Sequence, residues 1–302
     1  MNKVLVTGAS GFVGKHLLNE LLNNGIEVVA IDSNPNKSNP TVSFQAIDLT
    51  NKQEVSNINF KKIASVIHLA GLANVGLSFN NPLDYLQTNL SIEINLFEEA
   101  LRQKANPKFL IISSGSLYDS SAKLPLTEKS PVLPSSPYAV SKLGQEQLAQ
   151  YYITRGFKCV IARPFNHIGP DQKPGFLVPD LIEQIKTAKM NNLKEIRVGN
   201  LNTKRDYTDV RDIARAYRLL LDKGKSGEIY NICSGKSLSG FEILGALTEA
   251  LGINIKPIVD QSKIRPSDVM DIYGSHDKLT IDTGWKPEID ITTTLKDILA
   301  TI

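Results

Sequence analysis

Val4-Leu-Val-Thr-Gly8-Ala-Ser-Gly11-Phe-Val-Gly14 decides how this chain of 302 residues folds. A β-branched apolar run ends in three glycines spaced Gly8-x-x-Gly11-x-x-Gly14. An amphipathic stretch follows at once, with Phe12, Leu17, Leu18, Leu21 and Leu22 on one helical face. A strand over 4–7 therefore turns through a glycine corner into a helix over 11–24. Without Cβ atoms the corner lets backbone approach an anion. The helix start offers free N–H groups and the positive end of its dipole. That is what a dinucleotide pyrophosphate needs. Gly8, Ser10, Gly11, Phe12, Val13 and Gly14 are the expected cofactor contacts.

The next strand, 27–31, leads to Asp32, 18 residues after Gly14. A carboxylate there accepts hydrogen bonds from the ribose 2′-OH and 3′-OH. Ser33 and Asn34 carry no positive charge to offset a 2′-phosphate. NAD(H) is therefore the favoured cofactor, with NADP(H) the alternative.

Further apolar runs at 44–47, 65–69, 109–113 and 159–162 continue the theme, with helical patterns at 83–103 and 136–155. Strands apolar on both faces, alternating with helices, predict an α/β fold, a Rossmann-type doubly wound parallel sheet. Asp48-Leu49 ends the third run, where a side chain meets the adenine. Leu69-Ala70-Gly71 ends the fourth, where small residues let backbone lie against the cofactor. His68 reads as a satisfied core histidine. Past Pro164 the pattern loosens into strands near 196–198 and 228–232 and helices near 177–189, 209–222 and 239–251. The expected division is a Rossmann domain over 1–163 and a smaller α+β substrate lobe over 164–302, with segments crossing back.

Composition excludes several classes. The net charge of +3 comes with no Lys/Arg block of the kind nucleic acid requires, but suits a small anionic ligand. No run approaches the roughly 18–20 apolar residues of a membrane span. Cys159 and Cys233 sit in apolar stretches without metal-ligand spacing, so no metal is expected. The N-terminus runs straight into a strand without a leader pattern, so a cytoplasmic location is expected.

Tyr138-Ala-Val-Ser-Lys142 places an ammonium one helical turn from a phenol. Tyrosine, with an ordinary pKa of about 10, is a poor acid–base group at neutral pH. A nearby ammonium favours the phenolate and brings the group toward working range. Ser114, at the end of the fifth strand, supplies a hydroxyl at the carboxyl edge of the sheet. Ser114, Tyr138 and Lys142 thus form a set suited to moving a proton while a hydride moves nearby.

At this point the chain resembles the extended short-chain dehydrogenases/reductases, the nucleotide-sugar epimerase/dehydratase/reductase group. The likeness runs through the glycine corner, Leu69-Ala-Gly71, Pro82…Tyr85…Asn89, Ser113-Ser114-x-x-Leu-Tyr118 and Tyr138-x-x-x-Lys142. It continues in Arg163-Pro164-Phe-Asn166, Arg205-Asp…Asp209-Val, Arg265-Pro and Thr283-Gly-Trp-Lys-Pro287. The resemblance implies an enzyme with a nicotinamide cofactor acting on a sugar carbon of an NDP-sugar. It adds Asn89 and Pro164 to the cofactor site, alongside Tyr138 and Lys142. It places Ser78, Ser114, Asn166, Val178, Arg205 and Arg265 against the substrate, with the two arginines neutralising its diphosphate. It also implies a homodimer built on the helices at 83–103 and 136–155, which carry apolar residues on more than one face.

Dehydratases of that group carry an acidic residue just after the triad hydroxyl. Here Gly115 and Ser116 stand there, and neither can drive loss of water. A 4-keto reductase and a 4-epimerase remain. Arg163-Pro-Phe-Asn-His-Ile-Gly-Pro170 and Val198-Gly-Asn-Leu201 resemble GDP-4-dehydro-6-deoxy-D-mannose reductases more than typical 4-epimerases. Asp119 departs from the group's usual glycine after Tyr118. His167 is read as a packing or hydrogen-bonding group rather than a proton carrier. A protein that binds NAD(H) without turnover is the reading from another class, and it gives the tuned phenol no use.

Overall fold

A computed structural model describes residues 3–34, 42–264 and 269–301 of the chain. Its central sheet has seven parallel strands. They are β1 (Lys3–Thr7), β2 (Val28–Asp32), β3 (Ser43–Ala46), β4 (Ile63–His68), β5 (Lys108–Ile112), β6 (Lys158–Pro164) and β10 (Ile229–Ile232). Their order is β10-β6-β5-β4-β1-β2-β3. The chain winds from β1 outward to β3, then returns to place β4 on the other side of β1. Strand order reverses there, and the crevice beyond the carboxyl ends of β1 and β4 is where such sheets bind ligands.

Side-chain alternation along each strand feeds two cores. Val4 and Val6 face α1 (Phe12–Asn23) and α7 (Val210–Lys223), packing with Leu17, Leu21, Tyr217 and Leu220. Leu5 faces the other way, toward α4 (Pro82–Arg102) and α5 (Pro137–Thr154), with Leu96, Phe97 and Tyr152. Truncating one of these fully buried groups, such as Leu96→Ala, costs about 2–5 kcal/mol. α2 (Lys52–Val55) and α3 (Val75–Ser78) are single turns between strands and helices.

The lobe holds a third core around Ile168, Leu181, Ile196, Leu244 and Leu247. Its main sheet combines β7 (Asn166–Ile168), β9 (Lys204–Asp209), β11 (Ser237–Ser239) and β13 (Asp271–Ile272). β8 (Glu195–Val198) pairs with β12 (Lys256–Val259). α6 (Leu177–Met190), α8 (Gly240–Leu251) and α10 (Ile291–Ala300) cover the lobe, and α9 (Asp277–Thr283) lies against β10. β10 pairs with β6, and α7 packs on α1, so both belong to the central sheet's layers although they follow residue 164. Among the described residues, no helix is long and apolar enough to cross a membrane.

Candidate active site

The glycine corner is closed by the Gly11 amide donating to Gly8 O at 3.0 Å. Gly8 has φ of +64°, and a Cβ there would lie 2.8 Å from Ala70 N in the loop after β4. A Cβ at Gly14 would lie 2.6 Å from Ala9 O. Both positions require glycine: the first for its left-handed backbone, the second so that the helix can close on the strand end. Gly11 begins α1 without a side-chain cap, which leaves the first-turn N–H groups for an anion. Phe12 and Val13 are half-buried in that turn. Asp32 ends β2, its carboxylate accepting from Ser10 N at 3.0 Å and Asn34 N at 3.1 Å. A fixed negative charge thus stands beside the corner.

The opposite wall is Leu69, Ala70 and Gly71. Ala70 N donates to Thr7 Oγ1 at 3.2 Å. Asn89, on α4, pins the loop by accepting from Leu72 N at 2.8 Å and donating to Leu72 O and Ser141 Oγ. It acts on the crevice through this loop. Asp48 is exposed and holds Thr50, while Leu49 is buried with its carbonyl accepting from Asn95. Pro164 ends β6 beside Ile232. The corner, the helix start and the acid at the end of β2 together fit a dinucleotide.

Tyr138 lies in the first turn of α5, whose start is capped by the Ser136 hydroxyl accepting from Ala139 N. The phenol is buried, with its ring edge-on to Tyr85 at 6.4 Å. Burial pushes its pKa up to about 12; the hydrogen-bonded Ser114 hydroxyl pulls it back and Tyr85 adds to the rise. Lys142 Nζ lies 6.0 Å from the Tyr138 ring centroid. Its hydrogen bonds go to Ile112 O and Gln145 Oε1, each at 2.8 Å. Burial brings the lysine's pKa down to about 8, against the opposing fields of Glu93 and Glu146. The ammonium's hydrogen-bond partners are thus α5's own Gln145 and the end of β5, while burial moves the phenol further above tyrosine's ordinary pKa. Ser114 Oγ pairs with Ser116 Oγ at 2.9 Å, and Asp119 turns to Ser121 instead.

A polar layer beneath these groups was not foreseen. Arg163 makes a bidentate ion pair with Glu146 at 2.8 and 2.7 Å, both side chains buried, and Ser113 Oγ donates to the same carboxylate at 2.5 Å. The guanidinium lies 4.8 Å from the Tyr118 ring centroid, and Tyr118 donates to Asn231. His68 pairs with Thr7 Oγ1 at 2.8 Å, and burial brings its pKa down to about 3, so it stays neutral. The available signal was spacing. Gln145 and Glu146 follow Lys142 by three and four residues, and so share its helical face.

The substrate side needs two corrections. Ser78 is fully buried, its hydroxyl donating to Val75 O at 2.6 Å, so it closes its own turn. Val178 is 1% exposed in the lobe core and presents no side chain to a base. Asn166 is exposed at the start of β7. Arg205 Nη1 donates to Lys204 O and Val269 O. Arg265 lies outside the described residues. His167 stacks on Phe12 at 6.1 Å, with its Nδ1 3.0 Å from Phe165 O, so it joins the lobe to the glycine corner.

Comparison with known proteins gives the family. Residues 4–233 match the NAD dependent epimerase/dehydratase family. The chain is 36% identical to GDP-6-deoxy-D-mannose reductase of Pseudomonas aeruginosa, covering 99% of this chain and 96% of that protein. The structure of RMD from P. aeruginosa complexed with NADPH superposes with a TM-score of 0.88 at 35% identity, covering 100% of this chain and 98% of that one. UDP-glucose 4-epimerase of Thermus thermophilus, solved in complex with NAD, gives a TM-score of 0.85 at 29% identity, covering 99% and 98%. The glycine corner, the Ser114–Tyr138–Lys142 set and these likenesses converge: the chain belongs to the NAD dependent epimerase/dehydratase family.

Proposed function

We propose that this chain reduces the C4 ketone of an NDP-4-keto-6-deoxyhexose, GDP-4-dehydro-6-deoxy-D-mannose being the favoured substrate. One observation carries the reading. Ser114 hydrogen-bonds a protonated Tyr138, and Gly115 and Ser116 occupy the positions just after Ser114 where an eliminating acid would stand, so that segment offers no acid for loss of water. The 36% identity to the P. aeruginosa reductase supports the same substrate.

Ser114 donates a hydrogen bond to the ketone oxygen and polarises it. Tyr138 delivers its proton to that oxygen as negative charge develops. Lys142, fixed by Ile112 O and Gln145, presents its charge to the same region. A nicotinamide dinucleotide, held at the Gly8–Gly14 corner, supplies the hydride when bound. Asp32 and the Leu69–Gly71 wall orient it. Asp32 disfavours a 2′-phosphate, so NADH is preferred, although the P. aeruginosa structure holds NADPH. Asn166, Arg205 and Arg265 are the proposed diphosphate contacts.

A 4-epimerase shares the Ser–Tyr–Lys set, and the Thermus thermophilus likeness favours it as the second reading. A cytoplasmic homodimer completes the proposal. Exposed Leu83, Val140 and Tyr151 on α4 and α5 support pairing through these helices. Incubation with GDP-4-keto-6-deoxymannose and NADH or NADPH, followed at the nicotinamide absorbance band, tests the reading. No nicotinamide oxidation, with interconversion of UDP-hexoses in a parallel assay, transfers it to the epimerase.

A further inference from the structure

Ser114 follows β5 with extended backbone, and Gly115–Leu117 form a single tight turn after it. Packing fixes that turn from two sides. Leu117 is fully buried, its carbonyl accepting from Leu133 N at 2.9 Å. A Cβ at Gly115 would lie 2.9 Å from the Phe165 ring. Ser116, half-buried between them, is thereby held against the Ser114 hydroxyl. Its amide donates to Ser114 Oγ at 3.1 Å, and its own Oγ lies 2.9 Å from the same atom. The Ser114 hydroxyl also hydrogen-bonds Tyr138. A serine hydroxyl has one proton to give and two lone pairs to fill. The Ser116 amide takes one lone pair. A ketone oxygen can only accept. When Ser114 gives its proton to that oxygen, the 2.9 Å contact persists only with Ser116 as the donor, which fills the second lone pair. Tyr138 then finds no acceptor in Ser114, and its proton goes to the ketone.

We propose that Ser116 is a positioning residue that gives its hydroxyl proton to Ser114 and so aims the Ser114 and Tyr138 protons together at the substrate oxygen. The inference rests on the reductase reading and deepens it, by naming what orders the two hydroxyls. Donation from Ser116 also polarises the Ser114 O–H, so that its hydrogen bond strengthens as charge builds on the ketone oxygen. No proton is lost from Ser116 or Ser114. The proton transferred is that of Tyr138, and the hydride comes from the dinucleotide. Ser116 therefore acts on the reaction through Ser114.

The test is Ser116→Ala, which keeps the amide and removes only the hydroxyl, beside Ser116→Thr, which restores it. The kcat for reduction of GDP-4-keto-6-deoxymannose should fall about tenfold in Ser116→Ala and return to within about twofold of the parent in Ser116→Thr, while the KM for NADH stays within about twofold throughout. In a Ser114→Ala background the same Ser116→Ala change should cost less than about twofold, because the group it acts through is gone. A second arm needs no substrate. With tyrosine labelled with carbon-13 at Cζ and the Tyr138 signal assigned by Tyr138→Phe, that signal should move toward the phenolate position in Ser116→Ala, as the phenol gains Ser114 as an acceptor, and stay in place in Ser116→Thr. Should Ser116→Ala not fold, Ser116→Cys takes its place, since a thiol is a weak donor. A kcat within about twofold of the parent overturns the proposal. So does a loss of about tenfold that persists in the Ser114→Ala background, which would give Ser116 a direct contact with substrate. If the parent protein reduces no 4-keto sugar, the reductase reading falls, and the NMR arm still judges Ser116: an unmoved Tyr138 signal in Ser116→Ala overturns its role.

Discussion

Tyr138→Phe removes one oxygen from a buried ring and should nearly abolish turnover. The phenol is protonated through the neutral range, as tyrosine's ordinary pKa of about 10 already ensures, and burial lifts it further, to about 12. It therefore arrives at the reaction as an acid with its proton in place. Loss of a positioned acid–base group costs about two to four orders of magnitude in rate. At about 1.36 kcal/mol per tenfold, that is about 3–5 kcal/mol of barrier. The fold should change little. The edge-on contact with Tyr85 at 6.4 Å survives in phenylalanine, and the Ser114 hydrogen bond is worth about 0.5–1.5 kcal/mol. The Gly8–Gly14 corner is untouched, so NADH should bind within a few-fold of the parent by fluorescence titration. Single-turnover reduction read at the nicotinamide band separates chemistry from binding. Turnover within tenfold of the parent, with the same fold and cofactor affinity, refutes Tyr138 as the donor.

Four other outcomes are expected. Lys142, with its pKa lowered to about 8, loses its charge as pH rises through that value while Tyr138 stays protonated. The rate should therefore fall above about pH 8, and a flat profile to pH 10 contradicts this. Gly8→Ala places a Cβ 2.8 Å from Ala70 N at a φ of +64°, which should cost about 1–3 kcal/mol and weaken NADH binding, measurable by thermal melts and titration. Asp32→Ala should weaken NADH and narrow its advantage over NADPH; a tenfold preference of the parent for NADPH sinks that reading. Arg163→Met leaves Glu146 as a buried, unpaired carboxylate and should cost about 3–5 kcal/mol in urea unfolding.

The parts legible from sequence were those with local causes. The strand–glycine–helix run, the alternating strands and the Tyr138–Lys142 spacing each depend on residues close along the chain. The polar layer under the site depends on pairs far apart, such as Arg163 with Glu146 and Tyr118 with Asn231, and spacing carries little of that. β7, β11 and β13 have three, three and two residues, too few to show periodicity. Ser78 and Val178 were placed by motif neighbourhood. Their orientation was settled by a hydrogen bond within a turn and by the lobe core, neither visible in a linear pattern. The lysine's partners were hidden for a similar reason: i, i+4 spacing brings two groups near, but the ammonium's hydrogen bonds go to backbone Ile112 O and to Gln145.

The most direct test is stoichiometry. Purified protein is mixed with GDP-4-keto-6-deoxymannose and excess NADH or NADPH, and nicotinamide oxidation is compared with the 4-hydroxy sugar formed. One dinucleotide oxidised per sugar reduced, lost in Tyr138→Phe, is the predicted result. Sugar interconversion with no net nicotinamide change contradicts the reductase account.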